Sequence, residues 1–449
     1  MSSIPENRYS IKGSLFAVII LALLTLADNV LTNTLPFALG PGPPQIPGFW
    51  NLTTTSLVLS VVSDLIGQPV LIILTYHYSS RYAINANILS ITIASICSLI
   101  LLFWRTDELA WTSALAPIFK IIGSGSHATA FLAISVIWEN TSGSLRAALI
   151  YTTGAVIVLC QTIASSVTPF LARQDLALPY IFSIICCVLA GFATIVYDTA
   201  GAPSSSREWT NDSSAQPLLS PLVASEDAPS ATPLGILGAY SDRWYNKPFT
   251  TRKVLKLLGL VFLLVAIAKA TRPLFITYIQ HRVGITPAGA NYLWLIRTLM
   301  SLVIFSAVLP LVVIRWSKSP LRLPSTMNLY IAKISIVLLA VGAVLIGVAR
   351  SKPVLMAGLI INTLGVAIDL ALLAFAADIV PENIASCFFM AMASIESTGT
   401  LIGIAVLYPL YQRCLDDDTL VGGMPYYICA SLFIICGVIV WSLKPLPIS

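Results

Sequence analysis

Ala202-Pro203-Ser204-Ser205-Ser206 and Ser225-Glu226-Asp227-Ala228-Pro229-Ser230 lie in the one long polar stretch of this 449-residue chain, residues 199–252. These residues are small, polar and interrupted by proline, so they bury too little to fold and read as a flexible tether. Six apolar segments precede it, at 14–36, 54–78, 83–104, 110–138, 146–171 and 177–197. Six follow, at 254–280, 289–314, 327–349, 353–377, 383–411 and 425–443. Each is close to the roughly 20 apolar residues a helix needs to cross a hydrocarbon core. Backbone groups in lipid must be satisfied within the segment, and the runs are too continuous for the alternation of a barrel, so helices are expected. Composition agrees, with 57% hydrophobic and 10% charged residues, where a soluble domain carries about 25% charged.

The expected architecture is therefore all-α, with 12 transmembrane helices as two six-helix bundles. Residues 1–13 form an N-terminal tail, 14–198 the first bundle, 199–252 the linker, 253–443 the second bundle and 444–449 a C-terminal tail. Pro36, Pro69, Pro117, Pro169, Pro273 and Pro310 fall within or at the ends of spans, where bent helices tolerate them. Basic residues outside the spans set the orientation. One side collects Arg8, Lys12, Arg81, Arg146, Arg207, Arg243, Lys247, Arg252, Lys253, Lys256, Arg315, Lys318, Arg322 and Lys444. The other collects Arg105, Arg173, Arg282, Arg350, Lys352 and Arg413. The richer side is cytoplasmic, so both termini and the linker are expected there. The net charge of +5 is then a topology signal, and no nucleic-acid partner is expected. Asn51-Leu52-Thr53 lies in the first outside loop as a possible glycosylation acceptor.

Catalytic chemistry finds no support. The eight Cys residues sit almost entirely in spans, where Cys behaves as a small apolar side chain. His77, His127 and His281 are far apart, and no P-loop, H-E-x-x-H or G-x-S-x-G occurs. No enzyme, metal or cofactor is expected.

Charges inside the spans carry the functional signal, because each is costly at mid-bilayer and needs a cavity or a partner. Asp28 lies in the first span, Asp64 in the second, Lys120 in the fourth, and Lys269 and Arg272 in the seventh. Arg297, Lys333, Asp369 and Glu396 follow in the eighth to eleventh. The first, fourth, seventh and tenth spans each carry at least one, the same position in successive groups of three. From a rise of about 1.5 Å per residue, Asp28 sits roughly 12 Å and Lys120 roughly 15 Å below the outer end of their spans. A buried carboxylate–ammonium pair is therefore feasible. It is open whether that pair is a proton switch or a static tie between helices. Lys269 and Arg272 either face substrate or snorkel to water.

Several stretches resemble the major facilitator superfamily, in its fungal form. Phe119-Lys120-Ile121-Ile122-Gly123-Ser124-Gly125 resembles the family's fourth-helix motif, and Trp138-Glu139 followed by Arg146-Ala147 its acidic-then-R-A pattern. Asp28-Asn29 through Asn33-Thr34-Leu35-Pro36 is similar to the first-helix pattern of drug–proton antiporters. Tyr278 to Gly284 and Ile395 to Gly399 look like stretches common in fungal transporters. The loop between the second and third helices keeps Arg81 but has lost the family's acidic residue. Thr168-Pro169-Phe170-Leu171 lacks the glycines of the antiporters' fifth helix, which tells against export by antiport.

The resemblance implies a central cavity lined by helices one, four, seven and ten, and a secondary transporter working by alternating access. Asp28 and Lys120 are then the proton-coupling pair. Asn29, Asn33, Lys269, Arg272 and Asp369 are substrate-binding candidates. Asp64, Arg81, Glu139, Arg146, Arg297 and Glu396 are gating or structural charges. Expected partners are the lipid bilayer, a small-molecule substrate and protons, with the chain acting as a monomer in the plasma membrane ahead of the vacuolar one. Proton-coupled export of a metabolite or drug-like compound leads. Import or facilitated passage of a nutrient or organic anion, and a transport-inactive receptor or scaffold, stand as alternatives.

Overall fold

The computed structural model describes residues 11–39, 52–77, 80–103, 116–141, 143–199, 249–271, 274–285, 287–317, 324–380, 385–414 and 420–443. Asn51, Arg272, most of the linker and both tails lie outside them. The described residues are all-helical. Among the described residues up to 199 there are six α-helices: α1 (Ile11–Leu39), α2 (Leu52–His77), α3 (Ser80–Phe103), α4 (Gly125–Asn140), α5 (Gly143–Gln174) and α6 (Leu178–Thr199). From residue 249 come α7 (Phe249–Lys269), α8 (Phe275–Val283), α9 (Pro287–Val303), α10 (Leu309–Ser317), α11 (Pro324–Val348), α12 (Lys352–Leu364), α13 (Ile368–Ala377), α14 (Ala385–Arg413) and α15 (Met424–Ser442).

By length and composition, 11 stretches among the described residues are long and apolar enough to cross a membrane. The expected seventh is missing from that number because α7 carries Arg252, Lys253, Lys256 and Lys269 in its 21 residues. Large apolar side chains face outward, as with Phe103 at 74% and Val438 at 70% exposed. Asp28, Asp64, Gln68, Asn87, Lys120 and Asn328 are instead buried. Apolar surface outside and polar groups inside is the distribution a chain solvated by lipid tails requires.

Four of the expected continuous spans are interrupted. The fourth is a 3-10 turn, Ala116–Ile122, that ends where Ser124 (φ 60) and Gly125 (φ 59) turn left-handed before α4 begins. Glycine takes that conformation without steric cost, whereas a β-carbon does not. The seventh stops at Lys269 and resumes at α8, with Pro273 in between unable to donate an N–H to the ladder. The tenth divides between Leu364 and Ile368, where Gly365 N–H bonds Asn362 O at 3.2 Å. The eighth passes through a π-turn at Ile304–Val308. Pro310 follows it, and the wider turn relieves the clash of its ring with the preceding carbonyls.

α1 packs against α4, α5 and α6, and α7 against α14 and α15. At the α7–α14 contact Gly399 and Gly403, one turn apart, meet Ala266 and Ala270. A β-carbon on Gly403 would lie 2.6 Å from Ile267 O. Small residues at this spacing let two backbones approach, which is the means of helix association where lipid removes the hydrophobic drive. Helices before residue 199 meet those after residue 249 along α2–α14, α4–α14 and where α5 runs beside α9, α10 and α13.

Candidate functional site

The helix breaks position the buried charges. Lys120 occupies the last turn of the 3-10 segment and donates its Nζ to Asp28 Oδ1. Asp28 is 6% and Lys120 3% exposed, and Lys120 Nζ also reaches Thr32 Oγ1 at 3.4 Å. Its backbone carbonyl is held by the Ser90 hydroxyl at 3.1 Å. The N-terminus of α4, just beyond, is pinned by Asn87, whose amide donates to Gly125 O at 3.0 Å and Thr129 Oγ1 at 2.6 Å. Ser124 Oγ donates to Asp64 O at 2.7 Å. The Asp28 and Asp64 carboxylates both come close to Gly125 at the start of α4, the end at which the helix dipole favours negative charge.

The second pair repeats this arrangement. Lys269 ends α7 and donates to Asp369 Oδ2, and Asp369 lies in the first turn of α13. A cation at a helix C-terminus thus meets an anion at a helix N-terminus, and each dipole favours its own charge.

Asp369 also lines a cavity of ≈ 190 Å³ whose other polar lining residues are Thr25, His127, Gln161 and Glu396. A wider one of ≈ 460 Å³ continues along α5 and α9, lined by Gln161, Ser165, Ser166, Trp294, Arg297 and Thr298. Gln161, Val158 and Val366 line both, so the two cavities adjoin.

At the opposite end the two groups of helices are hydrogen-bonded shut. Trp138 Nε1 donates to Ala377 O at 2.8 Å, and Arg146 Nη1 donates to the same carbonyl at 3.1 Å. The Arg146 guanidinium also stacks on Trp138, 4.9 Å from the ring centre, a cation–π contact. Ser135 donates to Ser386 at 2.7 Å, Ser386 and Ser80 to Glu139 Oε1 at 2.8 and 2.9 Å, and Tyr151 OH to Asn328 Oδ1 at 3.0 Å. Further along, Gln68 Nε2 donates to Ser397 Oγ at 2.7 Å.

The structure thus brings together Asp28, Lys120 and Asp64 at one site, Lys269 with Asp369 at another, and Glu139 with Arg146 at the closed end. Asn29 is half-buried and spends its amide on Thr25 O at 2.7 Å, and Asn33 and Arg81 are half-buried. Arg297 covers Trp294 at 4.8 Å, and Lys333 lies near Tyr330 and Trp441. Sequence reading named His127 and Trp138 without giving either a role and passed over Gln161, Tyr151, Asn328 and Ser386; Trp138, Tyr151 and Ser386 have partners far away along the chain. Among the described residues no three His, Cys, Asp or Glu side chains gather as a metal site would need.

The fold is similar to that of solved transporters, among them one of the major facilitator superfamily. The chain aligns with the crystal structure of the human organic anion transporter MFSD10 (TETRAN) at a TM-score of 0.65 and 16% identity, over 98% of this chain and 100% of that one. It aligns with the proton:xylose symporter XylE at 0.66 and 12%, over 96% of each chain. A bacterial homologue of the iron transporter ferroportin, in its outward-facing state, aligns at 0.66 and 11%, over 96% and 99%. Identities this low establish a shared fold. No family model and no curated protein matches the chain.

Proposed function

We propose that this chain is a secondary active transporter of a small organic molecule, alternating between two access states and coupled to protons through Asp28 and Lys120. Two six-helix bundles, residues 14–198 and 253–443, rock about the cavity between them while the linker at 199–252 tethers them, with both termini cytoplasmic. One observation carries the reading. The helices before residue 199 hold the buried Asp28–Lys120 pair and those after residue 249 the part-buried Lys269–Asp369 pair, Asp369 lining a cavity, and hydrogen bonds such as Trp138 to Ala377 and Ser135 to Ser386 join the two groups at one end. The sequence puts that hydrogen-bonded end on the cytoplasmic side.

The chemistry follows from the pair. Asp28 holds Lys120 while ionised. A proton on Asp28 releases the ammonium, loosening α1 from the turn before α4, and the helices are then free to rock. Lys269 and Asp369 hold or release one another as substrate arrives, with Arg272 and Asn33 as further candidate contacts. The first-helix Asp28-Asn29…Leu35-Pro36 pattern favours export. Import by symport is the second reading, favoured by the fold shared with the proton:xylose symporter and by the missing fifth-helix glycines. Counterflow in proteoliposomes across a panel of sugars, organic anions and organic cations tests transport itself. The expected result is saturable exchange of at least one class; no exchange of any class, by protein that reconstitutes folded, would leave the receptor or scaffold reading.

A further inference from the structure

Lys120 answers Asp28 through Oδ1, yet a second carboxylate stands at the same helix end. Asp64 on α2 is 7% exposed, and its Oδ1 has no hydrogen-bond partner. A β-carbon built on Gly125 would lie 3.2 Å from that oxygen and 3.2 Å from Asp28 Oδ2. The two oxygens therefore lie no more than twice that distance apart, across the space a glycine leaves open. Among the described residues, the titratable groups that act electrostatically on Asp64 are Lys120, His127 and Asp28. Of the other helices packed on α2, α3 has its Arg81 at its far start, and α14 contributes neutral Ser397, bonded to Gln68, while its Glu396 lines the cavity. His127 is exposed on that same cavity.

One buried ammonium balances one carboxylate. A second carboxylate in the same apolar surroundings, with no donor to its oxygen, is far less costly as the neutral acid. We propose that Asp64 is a second proton-binding carboxylate of this site, holding a proton while Asp28 holds Lys120. When the helices rock, the ammonium passes to Asp64, which releases its proton as Asp28 binds one. Lys120 keeps its own three protons throughout, one proton leaves and one arrives, and the three groups stay neutral in sum. The site becomes a two-position proton relay, with Gly125 as the gap through which the carboxylates share the lysine.

This cycle rests on the reading of the chain as a proton-coupled transporter, but its first element, a proton on Asp64, belongs to the resting protein. Infrared spectroscopy of the purified full chain in lipid nanodiscs at neutral pH reads it through the carbonyl band of a buried, protonated carboxylic acid. The wild type is expected to show the band, Asp64→Asn to lose it, and Lys120→Gln to raise it about twofold because both carboxylates then take protons. A band that survives Asp64→Asn, or that Lys120→Gln leaves unchanged, overturns the proposal. Should Asp64→Asn not fold, Asp64→Glu carries the test: the band must shift in frequency, and an unshifted band is equally fatal. No substrate enters this measurement. A protein that shows the band but exchanges no solute would overturn the transporter reading and leave the proton on Asp64 standing.

Discussion

Asp28 and Lys120 are each tolerable in an apolar interior only because of the other. Removing Lys120 leaves Asp28 to take a proton in place of the ammonium, and the cost of breaking such a pair is about 3–5 kcal/mol. Lys120→Met should therefore lower the melting temperature in detergent by several degrees, and Asp28→Asn combined with Lys120→Met should recover most of that loss. If the double variant melts no higher than the single, the two residues are not an energetic pair. Gly125 makes a separate prediction. Its φ of 59° costs an L-residue about 1–2 kcal/mol, and an added β-carbon would crowd both carboxylates. Gly125→Ala should fold but melt lower, whereas an alanine variant as stable as wild type would contradict the left-handed turn.

At the scale of elements, function sits where helices stop. The turn before α4, the end of α7 and the start of α13 each place a charge at the helix end whose dipole suits it, so the breaks are part of the site. The closed end depends on the Trp138 and Arg146 bonds to Ala377 O, the Ser135–Ser386 bond and the Tyr151–Asn328 bond. Each contributes about 0.5–1.5 kcal/mol net. Losing two should shift the balance between the access states by roughly tenfold or more, since about 1.4 kcal/mol is a factor of ten. Trp138→Phe with Ser386→Ala should open this end, seen as a longer distance between spin labels on α4 and α14; an unchanged distance distribution would mean these bonds do not hold the gate. The Gly399–Gly403 seam gives a packing counterpart, and Gly403→Val should destabilise by pushing α14 off α7.

Much of this could be read along the chain. The apolar runs gave the helices, and a rise of 1.5 Å per residue sufficed to suggest that Asp28 and Lys120 share a depth. The breaks were harder to see, because hydropathy averages over a span and does not register a single left-handed residue such as Ser124. The pairing of Asp64 with the Gly125 gap, and of Ser386 with Ser135 and Glu139, joins residues distant in sequence. No local pattern encodes such contacts.

For the molecule as a whole, the account predicts two bundles that need each other but not a continuous chain. Residues 1–198 and 253–449, expressed as separate pieces, should co-purify and exchange solute; halves that fail to associate would tell against the tethered-bundle architecture. The central claim is that Asp28 couples substrate movement to protons. Substrate-driven proton movement in proteoliposomes, with wild type and Asp28→Asn side by side, tests it most directly. A substrate should move protons with wild type and Asp28→Asn should lose this coupling, the direction of flow separating export by antiport from import by symport. A substrate that crosses both proteins equally, with no proton signal in either, would contradict it and leave the Asp28–Lys120 pair as a structural tie.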